Sequence, residues 1–399
     1  MAEPGTAPAS GRSHLALISL LTALVGVGPL SISFYIPSLP AIGVALEASP
    51  AAVQATITWY LVGFASAQLF LGPLSDMIGR MPVLFGGLAA YVLASLACAM
   101  APSVEVLWVA RLAQGAAACT GPVLGRAIVR DLFEGPDIAR AFAFIGTAIA
   151  LAPAIGPIAG GVIQVWLGWQ ANFLVLSLFA LALIALARAR LSESNHRRIA
   201  DALRPGRLFR IYRDLLINRR YMGNIVPGVG AFAGLLTFTA SAPYLFVREM
   251  GLGADTFGLL TLFHVSGYAA GAFVSGRLAG RVAPQRVIVA GLVLSGVAGV
   301  AMLALADALS VVRVIGPFTL YTFGFGLLLP SSMAAALQPF PRVAGSASAL
   351  MGFLQFAASA STSLLAAVAY DATAKPLASF LCVTSLVGLV LYLAARPWR

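Results

Sequence analysis

Charged side chains are scarce in this chain, so those inside its apolar stretches can be weighed one at a time. Arg111 stands in Arg111-Leu-Ala-Gln-Gly115, deep in one such stretch. Placing an arginine at the centre of a membrane helix costs at least about 2.5–3.5 kcal/mol, so it must face a cavity or a partner. The plainer alternative is a hydrogen bond to carbonyls near a helix break. His264 is the one midspan side chain of a type that titrates near physiological pH. It can carry a proton, or simply hydrogen-bond a carbonyl or a solute. A third group is the polar run Gly72-Pro-Leu-Ser-Asp-Met-Ile-Gly-Arg-Met-Pro82 between two long apolar stretches. Here Gly72 and Pro73 are expected to end a helix and Gly79 to permit a tight reversal. Asp76 and Arg80 offer opposite charges, with Asp76 expected at the positive N-terminal end of the next helix. A degraded copy, Gly276-Arg-Leu-Ala-Gly-Arg-Val-Ala-Pro-Gln-Arg286, follows 204 positions later (276 minus 72), about half the chain. The chemistry open to these groups is binding, charge pairing and proton transfer.

Bond-breaking chemistry has no support. An ATP-driven pump needs a phosphate loop of the Gly-x-x-x-x-Gly-Lys type, and the only lysine, Lys375, follows Ala374. Neither His-Glu-x-x-His nor Gly-x-Ser-x-Gly occurs, so a membrane hydrolase is excluded as well. No catalytic residue, metal or cofactor is expected. Cys98, Cys119 and Cys382 have no paired spacing and read as small core residues.

The elements that must hold these residues are helices in a bilayer. With 60% hydrophobic and 10% charged residues and a mean hydropathy of +0.93, the chain departs from soluble domains, which carry about 25% charged residues. A helix crosses the hydrocarbon core with about 20 apolar residues. Twelve such stretches begin near Leu15, Ala51, Pro82, Val104, Ile138, Trp169, Tyr221, Ala254, Val287, Val311, Gly345 and Leu377. Alternating strands are absent, which argues against a barrel. The expected class is therefore an all-α membrane protein. The net charge of +11 does not mark a nucleic-acid binder, because the arginines sort by loop. Those at 12, 80, 126, 130, 140, 188–220, 277, 281, 286, 342, 396 and 399 fall on one side, and only Arg248, Arg313 and Lys375 on the other. The positive-inside rule then makes both termini cytoplasmic. Residues 1–14 read as a cytoplasmic tail, 15–187 as one six-helix half, and 221–395 as a second. Between them, 188–220 reads as an amphipathic linker helix at the interface, with Leu208, Phe209, Ile211, Tyr212, Leu215 and Leu216 at helical spacing. Residues 396–399 are a short cytoplasmic tail.

The 72–82 loop resembles that between the second and third helices of major facilitator superfamily transporters. The resemblance implies twelve helices in two six-helix halves that repeat in parallel, with a site at the midplane. It also implies a gating role for Gly72, Asp76, Gly79 and Arg80, aided by an acid at the end of the fourth helix, here Asp131. Met77 and Met81 replace residues that the family usually has as basic. Arg111 matches a family arginine tied to proton coupling. Gly146, Pro153, Gly156, Pro157, Gly160 and Gly161 match the antiporter motif that marks exporters, a bent helix sealed by close packing. Tyr35-Ile-Pro-Ser-Leu-Pro40, Arg126-Ala-Ile-Val-Arg-Asp-Leu-Phe133 and 340–355 resemble the bicyclomycin-resistance and chloramphenicol-exporter branch. That branch implies a multidrug or antibiotic efflux antiporter of the bacterial inner membrane, with small amphipathic solutes and protons as partners, and a monomer. The alternative is export of an endogenous metabolite.

One departure stands out. The branch usually has an aspartate where this chain has Ser33, and no acid remains near the middle of any span. Arg111 and His264 are then the candidates for coupling. Amphipathic solutes need apolar walls with a few hydrogen-bonding points, for which Ser33, Tyr35, Tyr60, Gln68, Asn224, Phe238, Tyr244, His264, Tyr268 and Gln355 are the candidates. Without a fixed acid, neutral or anionic solutes are favoured over dications.

Overall fold

A computed structural model describes residues 11–133, 136–195, 198–199, 202–307, 309–340 and 343–397, and every regular element among them is helical. In chain order these are α1 (Gly11–Ser33), α2 (Leu39–Ala45), α3 (Pro50–Ile78), α4 (Arg80–Ala99), α5 (Val104–Ala118), α6 (Thr120–Leu132), α7 (Pro136–Leu167) and α8 (Trp169–Arg190). They continue with α9 (Pro205–Leu216), α10 (Arg219–Pro243), α11 (Ala254–Leu278), α12 (Pro284–Ala304), α13 (Val311–Leu337), α14 (Ala344–Val368) and α15 (Lys375–Ala395). A 3-10 turn, Ile36–Ser38, follows α1, and a π turn, Tyr244–Glu249, extends α10. Among the described residues, ten helical stretches are long and apolar enough to cross a bilayer. α5 and α6 are each shorter, but follow one another through Cys119, where Pro122 lacks the N–H that would bond Ala118.

Sequence chemistry sets the ends. Ser49, Ser103 and Asn218 cap α3, α5 and α10 by accepting from Ala52, Val106 and Tyr221 N–H. α1 starts at Gly11, inside the stretch read as a tail, and residues 1–10 lie outside the described residues, as do 398–399. Arg188 and Arg190 belong to α8 rather than to the linker, and sit at its negative C-terminal end.

α3 packs on α5 and α14, α7 on α1 and α11, and α11 and α12 both on α13. Hydrocarbon between helices offers no hydrophobic drive, so close packing of small residues must hold them. A Cβ on Gly63 would strike the Leu112 carbonyl, and one on Gly115 the Tyr60 carbonyl, so α3 and α5 meet backbone to backbone. α11 and α13 repeat the arrangement with Gly271 against Phe323 and Gly326 against Tyr268. Outward faces carry Leu93, Val109, Phe273 and Val390, all exposed. A surface of that kind suits lipid and not water.

Candidate functional site

At one end of the bundle the 72–82 region forms a charged knot. α3 does not stop at Gly72-Pro73, as expected from sequence; it continues to Ile78. Pro73 lacks the N–H that would bond the Leu69 carbonyl, and the Tyr212 hydroxyl from α9 donates to that carbonyl at 3.0 Å. The reversal falls at Gly79, at φ +109°, where a side chain would be strained and would also meet Glu193. Asp76 therefore sits in the last turn of α3 and not at the start of α4. That dipole-favoured position is taken by Glu193, whose two oxygens accept from Arg80 N (2.9 Å) and Met81 N (3.1 Å). Burial raises the Glu193 carboxyl, but the N–H groups of Asn195, Arg80 and Met81, with Arg198 nearby, outweigh it and hold the carboxyl below its ordinary value.

Arg80 ties the knot. Its Nη1 bonds Asp76 Oδ1 at 2.6 Å and Ser75 Oγ at 2.6 Å, while Nε bonds Asp131 Oδ2 at 2.9 Å. Ser194 Oγ donates to the same Asp131 oxygen, and Asn195 Nδ2 to the Ser75 and Asp76 carbonyls. The segment Leu191–Asn195 thus straps the end of α8 onto α3, α4 and α6. Gly72 itself has open space around it. Sequence reading brought Asp76, Arg80 and Asp131 together but missed Glu193, Ser194 and Asn195, because a polar run after a helix looks like any loop. In the copy at 276–286, α11 runs on to Leu278 and Gly280 makes the turn at φ +75°. No ion pair joins its arginines to a described residue.

Deeper in, Arg111 is fully enclosed. Its guanidinium lies over the rings of Tyr35 (4.3 Å to the centroid) and Tyr60 (4.2 Å), with Phe173 at 5.8 Å. Nη1 donates to Gln114 Oε1 at 2.5 Å, and Gln114 Nε2 donates to Ser95 Oγ. The tyrosines are fixed in turn, Tyr35 by its hydroxyl contact with Thr56 and Tyr60 by donation to the Gly28 carbonyl. Desolvating a cation costs several kcal/mol, and a desolvated cation–π contact offsets about 2 kcal/mol. Two ring faces do not close that gap, since Nε and Nη2 of Arg111 have no partner among the described residues.

α7 carries the glycine and proline pattern between two neighbours. Gly156 meets Ser33 of α1, Gly160 the Phe34 carbonyl, and Gly161 the Ala254 carbonyl at the start of α11. On the other side Gly258 of α11 meets the Pro157 carbonyl. Pro153 and Pro157 lie inside the helix; Gly146 lies in it too, where side chains are outside the described residues. Ser33 is thus packed into the α1–α7 seam. The 3-10 turn after Tyr35 packs on α10 and α11, which closes this end of the bundle.

Between the two ends runs a chain of rings of which sequence reading singled out only Tyr268: Phe64 to Phe356 (4.5 Å), Phe356 to Phe232 (5.3 Å), Phe232 to Phe325 (6.2 Å) and Phe325 to Tyr268 (5.4 Å). It crosses from α3 to α14, α10, α13 and α11, and Phe232, Tyr268 and Phe356 are half-buried. Gln68 lies against Gly352 beside it, and Gln355 is half-buried next to Phe356. Only helical periodicity combined with the crossing of α3 and α14 would have found the other rings. His264 belongs to a second aromatic group, 5.3 Å from Phe318 and 6.4 Å from Phe238, which stack on each other. Among the described residues its Nδ1 has no partner, nor has the Tyr244 hydroxyl. Asn224 is buried, donates to the Arg220 carbonyl, and its own carbonyl accepts from Ser332. The candidates therefore do not form one cluster. Two apolar grooves, of about 530 and 390 Å³, lie on outward faces beside exposed Val109 and Val297, where acyl chains would lie.

Known proteins resemble the chain along most of its length. A family model described as "Major Facilitator Superfamily" matches residues 21–363. Multidrug resistance protein D of Escherichia coli is 31% identical over 350 residues, covering 86% of each chain. A chloramphenicol resistance protein of Pseudomonas aeruginosa is 31% identical, covering 85% of this chain and 80% of its own. In fold, the crystal structure of a bacterial homologue of the human lysosomal transporter Spinster, inward-facing and unoccupied, matches with a TM-score of 0.73 at 14% identity and 98% coverage of both chains.

Proposed function

The chain belongs to the major facilitator superfamily, and on that premise we propose that it is a multidrug exporter of the bacterial inner membrane, working by alternating access with proton antiport. α5 with α6 and α7 join the ten long apolar stretches to make twelve spans. They form two six-helix halves, 15–187 and 221–395, joined by a cytoplasmic linker, with both termini cytoplasmic. The monomer carries the transport path. Its solutes are small and amphipathic, of the phenicol or bicyclomycin kind. The observation that carries this reading is the line of rings from Phe64 to Tyr268: an apolar wall across the seam between the halves, with Gln68 and Gln355 as its few polar points and no fixed acid. Relatives that bear the names of multidrug and chloramphenicol resistance support it. The charged knot at Arg80 braces one facing state, with Gly72 an uncrowded position in the last turns of α3. Gly156, Gly160 and Gly161 of α7 seal the opposite end. Arg111 supplies a fixed positive charge and His264 a titratable ring for coupling.

Growth tests decide between solutes. Expression in a strain stripped of efflux pumps should raise resistance to chloramphenicol or bicyclomycin, and Phe356→Ala with Phe232→Ala should remove that gain at equal membrane levels. Resistance unchanged across a broad antimicrobial panel, with a metabolite accumulating on deletion, would replace drug export by metabolite export.

A further inference from the structure

We propose that Arg111 is a binding site for an anionic group, either the carboxylate of a transported solute or a free inorganic anion. The inference rests on the exporter reading only for the source of the anion. Arg111 is fully buried, and among the described residues it has no carboxylate within ion-pair distance. Only one of its three guanidinium nitrogens is engaged. Nη1 is taken by Gln114, while Nε and Nη2 make no hydrogen bond among the described residues. A buried guanidinium with two open donors on one edge presents the bidentate geometry that a carboxylate accepts. The Tyr35 and Tyr60 rings lie 4.3 and 4.2 Å from its central carbon, so a ligand at the open edge has aromatic rings beside it.

The surroundings suit a ligand more than a structural lock. A structural arginine in a helical core spends its donors on carbonyls or acids, as Arg126 does on Pro122. Arg111 instead bonds a side-chain amide that Ser95 holds in place. Tyr35 leads directly into the turn Ile36–Ser38, which packs on α10 and α11. A change in how the halves meet would therefore move the ring that covers Arg111, and the charge would be uncovered in one facing state. An aromatic carboxylate fits both parts of such a place, with its ring among Tyr35, Tyr60 and Phe173 and its anion on the guanidinium edge.

The test uses the purified full-length protein in detergent at constant ionic strength and reads the thermal unfolding midpoint. Benzoate is titrated against benzamide, its neutral isostere, and chloride is titrated separately. A ligand that binds only the folded state raises the midpoint with a saturable onset near its Kd and a logarithmic rise beyond it. We expect such a shift with benzoate and none with benzamide, lost in Arg111→Gln and weakened in Arg111→Lys, where a point charge replaces the fork. Such a shift with chloride that also depends on Arg111 assigns the site to a free anion, and its absence beside a benzoate shift assigns it to an organic carboxylate. The proposal is overturned if neither benzoate nor chloride produces a shift of that form, or if their apparent Kd is unchanged in whichever Arg111 variant folds. No gradient or bilayer is involved, so the result is independent of whether the protein exports drugs.

Discussion

Arg80 and Glu193 divide the work of the charged knot between side chain and backbone. Arg80 reaches Asp76 and Asp131, one on α3 and one on α6, while Glu193 accepts the first two N–H groups of α4. Removing Arg80 leaves two carboxylates facing each other at the end of the bundle, both less than two-fifths exposed. Arg80→Ala and Asp76→Asn should therefore lower transport by about tenfold or more, which corresponds to ~1.4 kcal/mol per tenfold of rate, while both reach the membrane at wild-type levels. Transport near wild type in both would remove the gating role. Glu193 adds a pH signature. Its folded carboxyl lies below the ordinary value of 4.5, so its contribution is fully present above that value and is lost as pH falls through the lower, folded one. On acidification below about 4.5, the unfolding midpoint of wild type should fall more steeply than that of Glu193→Gln. Parallel pH profiles would show that the strap is not held by this carboxylate. Only part of this was legible from types and spacing. Asp76 and Arg80 stand out because they are charged in an apolar chain, whereas Glu193 gains its meaning from the reversal at Gly79, more than a hundred residues before it in sequence.

At the scale of elements, helices hold one another through groups that a lone helix would leave unsatisfied. The apolar face of α9 was readable from its spacing, but its use was not, since nothing in 205–216 says that Tyr212 reaches the carbonyl freed by Pro73. That pairing can be measured. Tyr212→Phe should cost about 1 kcal/mol, the net worth of a hydrogen bond whose loss leaves a carbonyl unmet. In a Pro73→Ala background, where residue 73 regains an N–H for Leu69, the same change should cost much less. A double-mutant cycle on unfolding midpoints gives the coupling, and additive effects would show that the contact is incidental. The α3–α5 crossing makes a harsher test. A methyl at position 115 strikes the Tyr60 carbonyl, and overpacking of this kind costs typically 1–3 kcal/mol. Gly115→Ala should therefore lower folded yield and, by pushing α3 away, loosen Tyr60 from Arg111. A variant as stable as wild type would mean that the helices can slide apart without penalty. Small residues at four-residue spacing announced such contacts in general, but which helices meet depends on crossings that sequence does not carry.

Across the whole molecule, the helical class, the long apolar stretches and the family were legible because a bilayer demands length and hydropathy of every span, and those are local properties. The site was legible only in part, since a solute path between helices is built from residues far apart in sequence. Arg111 and His264 were found as polar residues out of place; Phe64, Phe232, Phe325 and Phe356 looked like any membrane-facing ring. The same whole-molecule view bears on coupling. The acid that the branch usually carries is Ser33 here, and Ser33 is packed against Gly156 in the seam of α1 and α7, which leaves an acid restored at that position no open cavity to enter. His264 is the imidazole left among the rings, held by Phe238 and Phe318 with its Nδ1 unbonded among the described residues. If it carries the proton, moving one charge across the membrane draws on about 2.3 kcal/mol per 100 mV, and His264→Ala should forfeit that drive while solute still binds. In proteoliposomes, His264→Ala should lose solute-driven proton release and transport solute only down its own gradient. Proton release equal to wild type would reduce His264 to a packing or solute contact. A wild type that transports a confirmed solute with no proton release would overturn antiport itself, and the fixed charge at Arg111 would then point to coupling through the solute's own charge.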